Sequence, residues 1–186
     1  MVILTLTALG TGAYGVTAAA NYYQFYSSLQ AIHVSLTSFH WVADNRSLNG
    51  TVTFVLASPS NYRGLGLGTF KMDWEIDGMN GTVRIPQGVP TLPLRMPKTL
   101  DPSQPITIIL QGGGDAPQQV TLIRSIGRNV DFIFHVDLVL SSFLDSVATA
   151  VTSYNCVSQE GPGTCQQVGI EIFPQTRSGG GGGGGV

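Results

Sequence analysis

The chain has 186 residues, of which 9 are basic and 11 acidic, so only 11% carry charge and the net charge is −2. This scarcity of Lys and Arg excludes nucleic-acid binding through a basic surface, which needs clustered cations against phosphate. A hydrophobic content of 42% with so little net charge also excludes a solvated chain without a core.

The charges are unevenly placed. No Asp, Glu, Lys or Arg occurs from Met1 to Ala43. Val2 to Ala20 is apolar or weakly polar throughout, and Tyr22, Tyr23, Phe25 and Tyr26 follow. As a helix, residues 2–26 would be roughly 37 Å long, enough to cross about 30 Å of hydrocarbon with a collar of tyrosines at the headgroups. A membrane helix is therefore expected, in a first segment of residues 1–30. Ala18-Ala19-Ala20 also permits a cleaved secretory signal with a mature start at Asn21, although no basic flank precedes the apolar run. A soluble core helix stays open too, because Thr and Gly interrupt the run. Ala8, Thr11, Gly12, Gly15 and Ala19 include four-residue spacings that suit close helix–helix approach. Gly10 to Gly15 matches G-x-G-x-x-G, but the first acid is Asp44, too distant for a ribose partner, so no dinucleotide cofactor is expected.

Residues 31–177 alternate like strands. Ile32, Val34 and Leu36 share a face, Thr51 to Leu56 is β-branched and aromatic, and Phe70, Met72, Trp74 and Ile76 oppose Lys71, Asp73, Glu75 and Asp77. Asp77-Gly78 and Asn80-Gly81 mark a turn into Thr82 to Ile85. Further strands are expected at Ile106–Leu110, Val120–Ile126, Val130–Leu140, Val147–Tyr154 and Val168–Phe173. Turns are expected at Pro86-Gln87-Gly88, Asp101-Pro102-Ser103 and Gly112 to Asp115, with helical character only at Ser141–Ala150. The fold class predicted is mainly β, an immunoglobulin-like antiparallel sandwich behind one N-terminal apolar helix. Ser178 to Val186 is a glycine-rich tail.

The stretch LASPSNYRGLGLGTFKMDWEIDG resembles the start of the late embryogenesis abundant type 2 domain, also called the water stress and hypersensitive response domain. Ser58-Pro59-Ser60 would be its turn, Leu65 and Leu67 its small apolar pairs, and Asp77-Gly78 its hairpin. The likeness runs over residues 31–140. It implies an immunoglobulin-like sandwich, often behind a membrane helix, with binding or protective roles and no catalytic residues.

Cys156 and Cys165 bracket a Gly-Pro-Gly reversal. If Tyr154-Asn155 and Gln166-Gln167 lie on neighbouring strands, the thiols can meet as a disulfide. Asn45, Asn49 and Asn80 begin N-x-[ST] triplets in expected turns and are glycosylation candidates. His33 and His40 are seven apart, so on one regular strand they face opposite sides. With His135 they have no ligand spacing, and no metal site is expected. The row Asp73, Glu75, Asp77 lies in a line rather than converging, which suits a solvated face better than calcium or acid catalysis. No G-x-S-x-G occurs, and no catalytic or cofactor-binding residue is predicted.

The expected role is thus a non-catalytic β-sandwich displayed outside the cell on a membrane helix, as a structural or binding module. Two alternatives use the same parts. One is a pilin-like filament subunit, with the helices of identical chains in a fibre core. The other is an accessory subunit whose helix docks within a membrane complex. The partners are accordingly lipid or identical subunits through residues 2–26, or membrane-complex partners, and not nucleic acid.

Overall fold

Val2–Gln30 form a single helix, α1. A run free of Pro, with its only glycines at positions 10, 12 and 15, sustains it. It closes tightly, Ala31 N donating to Ser28 O and Ile32 N to Leu29 O, both at 3.1 Å. The computed structural model describes residues 2–78, 81–85, 98–127, 129–143 and 146–175. After α1 come β1 (His33–Ala43), β2 (Ser47–Ala57), β3 (Gly66–Gly78), β4 (Gly81–Ile85), β5 (Lys98–Thr99) and β6 (Ile106–Asp115). Helix α2 (Pro117–Ile126) follows, then β7 (Val130–Ser141), β8 (Val147–Ser158), β9 (Gly161–Pro162) and β10 (Thr164–Gln175).

The chain is therefore mainly β, with two antiparallel sheets. One runs β6-β2-β1-β9, the other β10-β8-β7-β3-β4 with β5 on β3. Period-two burial is clearest on β7, where Val130, Phe132, Phe134, Val136, Leu138 and Leu140 all point inward. Rings join the sheets. Phe39 of β1 meets Phe132 and Phe134 edge-on, each at 4.9 Å, and Phe54 of β2 lies 5.3 Å from Phe70 of β3. Trp74 and Phe134, register partners, stack at 6.0 Å.

Four expectations need correcting. Val120–Ile126 is not a strand but most of α2. Pro117 starts the helix, Val120 and Ile123 bury one face, and Gly127 closes it at φ 62°, its N–H donating to Ile123 O. Gly112 to Asp115 is not a turn but the end of β6, paired with β2 as far as Ser47↔Asp115. Gly113 is needed there: a Cβ would meet the Asn49 side chain and, at 2.7 Å, the Leu48 carbonyl oxygen. Ser141–Ala150 is not helical, because β7 ends and β8 begins within it. Finally, a bulge between Leu36 and Ser38 breaks the alternation of β1, so His33 and His40 both face solvent. The Asp101-Pro102-Ser103 turn and the approach of Gly78 to Gly81 are as expected. Pro86-Gln87-Gly88 and the tail Ser178–Val186 lie outside the described residues.

Candidate functional site

The most unusual feature is how α1 is divided. Its last turns belong to the core: Phe25 and Leu29 are buried at i and i+4, followed by Ile32. Thr7 and Gly10 to Ala20 are exposed, except for half-buried Ala18, and nothing lies within 4 Å of a Cβ at Gly10, Gly12 or Gly15. Tyr14 and Val16 are 70% and 72% exposed. The apolar character is spread around the helix rather than gathered on one face. Threonines in this stretch turn their hydroxyls inward, Thr11 donating to Thr7 O and Thr17 to Ala13 O, both at 2.9 Å.

The expected membrane helix needs correction here. Among the described residues no helix is long and apolar enough to cross a membrane. Length is sufficient, at 29 residues, but the Thr and Gly substitutions and the amides Asn21 and Gln24 dilute the hydropathy.

A buried polar joint fixes the rod to the sandwich. Asn21, 5% exposed, accepts a 2.7 Å hydrogen bond from the Tyr62 hydroxyl and donates to Ser142 Oγ at 3.5 Å. Ser142 Oγ also accepts from Ser146 N at 3.0 Å, closing the β7–β8 turn. Burial pushes the Tyr62 phenol up, against hydrogen bonding with Ser142, Phe143 and Asn21 that pulls it down. Periodicity cannot locate this joint; the single signal was Asn21, the first amide after an apolar run. Beside the joint is a cavity of about 240 Å³ between α1 and the β2–β3 loop, with Ser60 and Asn61 on its loop side.

On the outer face of the larger sheet, three side chains lie in a row across neighbouring strands. His135 Nδ1 of β7 is 3.0 Å from Ser153 Oγ of β8, and its Nε2 is 4.0 Å from Glu75 Oε1 of β3. The residue types are those of a hydrolytic triad, which sequence spacing did not reveal. β7 is paired on both sides at His135, against Asp73 of β3 and Ser153 of β8. Asp73 is exposed on the same face.

Cys156 and Cys165 form a disulfide between register partners of β8 and β10, with Asn155 opposite Gln166 and Tyr154 opposite Gln167. Of the glycosylation candidates, Asn45 lies exposed in the β1–β2 turn. Asn49 is exposed within β2 rather than in a turn, and Asn80 falls outside the described residues. Among the described residues no group of three or more His, Cys, Asp and Glu could hold a metal ion.

No family model matches the chain, and no curated protein matches it. Among solved structures it is similar to a Northeast Structural Genomics Consortium target, SoR45, at 11% identity and a TM-score of 0.39. The alignment covers 80% of this chain and 90% of that one.

Proposed function

We propose that the chain is a non-catalytic structural subunit of pilin type, in which the α1 rods of identical copies bury one another in a common core and the β-domains face outward, outside the cell. One observation carries the reading: an apolar rod without a polar face extends beyond the sandwich that anchors it. A helix apolar all round is stable only when covered. Identical rods suit as the cover because Gly12, Gly15 and Ala19 allow close approach, and the bonded threonines bring no unsatisfied hydroxyl into a packed core. Burying Val16 alone would contribute about 1–2 kcal/mol per subunit.

The β-domain is read as immunoglobulin-like. Strand order supports this: β1, β2 and β6 lie together as A, B and E do, and β4, β3, β7 and β8 follow as C′, C, F and G, with β10 added beyond. The likeness to the late embryogenesis abundant type 2 domain concerns this part alone and is proposed on the same footing.

The test is assembly of the full chain after removal of detergent, followed by sedimentation and negative-stain microscopy. Filaments or large regular oligomers are expected. Gly12→Glu is expected to leave a folded, dispersed protein, because an unpaired carboxylate would sit in the helix core. A wild-type chain that stays monomeric would overturn the reading. So would filaments that form equally well in Gly12→Glu, or retention of the wild type in vesicles through alkaline carbonate without assembly; the last would restore membrane display.

A further inference from the structure

The cavity beside the joint has a composition of its own. Tyr23, Gln24, Ser27 and Ser28 line it from α1, at positions that share one side of the helix, and Ser60, Asn61 and Tyr62 close it from the loop. Among the described residues no charged side chain lines it, and neither does an aliphatic one. Some of these groups are already spent: Tyr62 donates to Asn21, and Ser28 donates to Phe25 O at 2.6 Å. Ser60 Oγ is different, being buried with no hydrogen-bond partner. The amides of Gln24 and Asn61 and the hydroxyl of Ser27 are on exposed residues at the rim, and the Tyr23 ring is 76% exposed.

From this lining we infer that the cavity is a binding site for one neutral pyranose unit of a glycan. An ionic ligand would find no counter-charge among the described lining residues, and a purely apolar one would strand the two amides. A sugar hydroxyl both donates and accepts, which is what the Ser27 hydroxyl and the two amides require. The flat C–H face of a pyranose suits an exposed tyrosine ring, which presents an apolar surface and a polar edge. Size agrees: 240 Å³ is below the range of about 300–1,000 Å³ for drug-sized ligands, so a single ring fits and an oligosaccharide would extend past Tyr23 into solvent. The inference stands apart from the assembly reading, since the cavity is formed within one chain.

Saturation-transfer NMR on the full chain, dispersed in a detergent that contains no sugar, tests this. The probes are the methyl glycosides of glucose, mannose and galactose together with N-acetylglucosamine; glucuronate and inorganic phosphate serve as charged controls. Transfer to at least one neutral probe at millimolar concentration is expected. It should weaken roughly three- to tenfold in Asn61→Ala and in Gln24→Ala, each removing one hydrogen bond. Both variants should unfold within a few degrees of the wild type, because neither side chain is bonded elsewhere in the fold. The inference fails if none of the four neutral probes receives saturation, or if the charged controls bind equally. It fails also if the two variants bind as tightly as the wild type, or if Asn61→Cys cross-links to a second copy at a yield that the sugars leave unchanged, which would make the cavity an interface between chains.

Discussion

Phe25 and Tyr23 sit two residues apart on the same helix and carry similar rings, yet the fold treats them oppositely. Phe25 is fully buried, 5.2 Å from Tyr26 and 6.3 Å from Tyr62, while Tyr23 is 76% exposed. Truncating a buried Phe to Ala costs about 3–5 kcal/mol, the lost transfer energy plus the void left behind. Phe25 lies where the helix end can relax toward the gap, so the lower figure, about 3 kcal/mol, applies. For a chain of this size each kcal/mol moves Tm by roughly 2–4 °C, so Phe25→Ala should melt roughly 6–12 °C below the wild type. Tyr23→Ala should stay within about 0.5 kcal/mol, as surface substitutions do. Hydrogen exchange adds location: in Phe25→Ala, residues 21–30 should lose protection before the strands do. Equal melting temperatures for the two variants, each far from or each close to the wild type, would refute the docking of α1 through Phe25 and with it the division of the helix.

Three further outcomes follow from the sandwich. Replacing the disulfide by Cys156→Ala with Cys165→Ser should cost roughly 2.5 kcal/mol, from the chain entropy of a closed loop with a sequence separation of 9, as measured by urea unfolding of both forms. Gly113→Ala should destabilise by about 1–3 kcal/mol because its Cβ would press on the β2 backbone, whereas Gly114→Ala, with nothing within 4 Å, should be close to neutral in the same assay. Tyr154 is buried with its hydroxyl donating to Val34 O at 2.6 Å, and burial pushes the phenol up to about 12, against a lowering hydrogen bond with Thr152. A raised pKa means that the unfolded chain releases this proton first, so the stability is intact below pH 10 and drains away between about pH 10 and 12, on the order of 2 kcal/mol. Tyr154→Phe should flatten that alkaline limb in pH-dependent melting.

The sequence disclosed whatever depends on local alternation. Phe70 to Ile76 and Val130 to Leu140 read as half-buried strands because each second residue is apolar, and the cysteines read as a bridge because a reversal separates them. It misled where context overrode the local signal. Val120 to Ile126 is β-branched and apolar, yet Pro117 before it and Gly127 after it set helix boundaries, and Val120 and Ile123 needed only one buried face. The glycines at 112–114 suggested a turn, but strand pairing with Asn49 and Leu48 needs a residue without a side chain at Gly113. The joint of Asn21, Tyr62 and Ser142 spans 121 residues of sequence, and the row of Ser153, His135 and Glu75 depends on the register of three strands. Neither leaves a periodic trace, since cross-strand neighbours are set by pairing rather than by spacing.

The two ends of α1 obey different rules, and the difference bears on what the helix is for. A helix required only to brace the sandwich would need the stretch from Asn21 to Gln30, where buried Asn21, Phe25, Ser28 and Leu29 alternate with exposed Tyr22, Tyr23, Gln24 and Ser27 as one-sided docking demands. The preceding residues 2–20 add roughly 28 Å of helix at 1.5 Å per residue, without a polar face and without a charge. Such a segment gains nothing for the sandwich and, left in water, invites association. Its glycines lower helix propensity by about 1 kcal/mol each, so local preference does not account for its persistence as a helix either. Both costs vanish if the rod is packed against others of its kind: close packing replaces water around Tyr14 and Val16, and the small residues become the places where backbones approach. The joint at Asn21 then has a mechanical sense, because buried hydrogen bonds to Tyr62 and Ser142 fix the angle at which each β-domain leaves such a core.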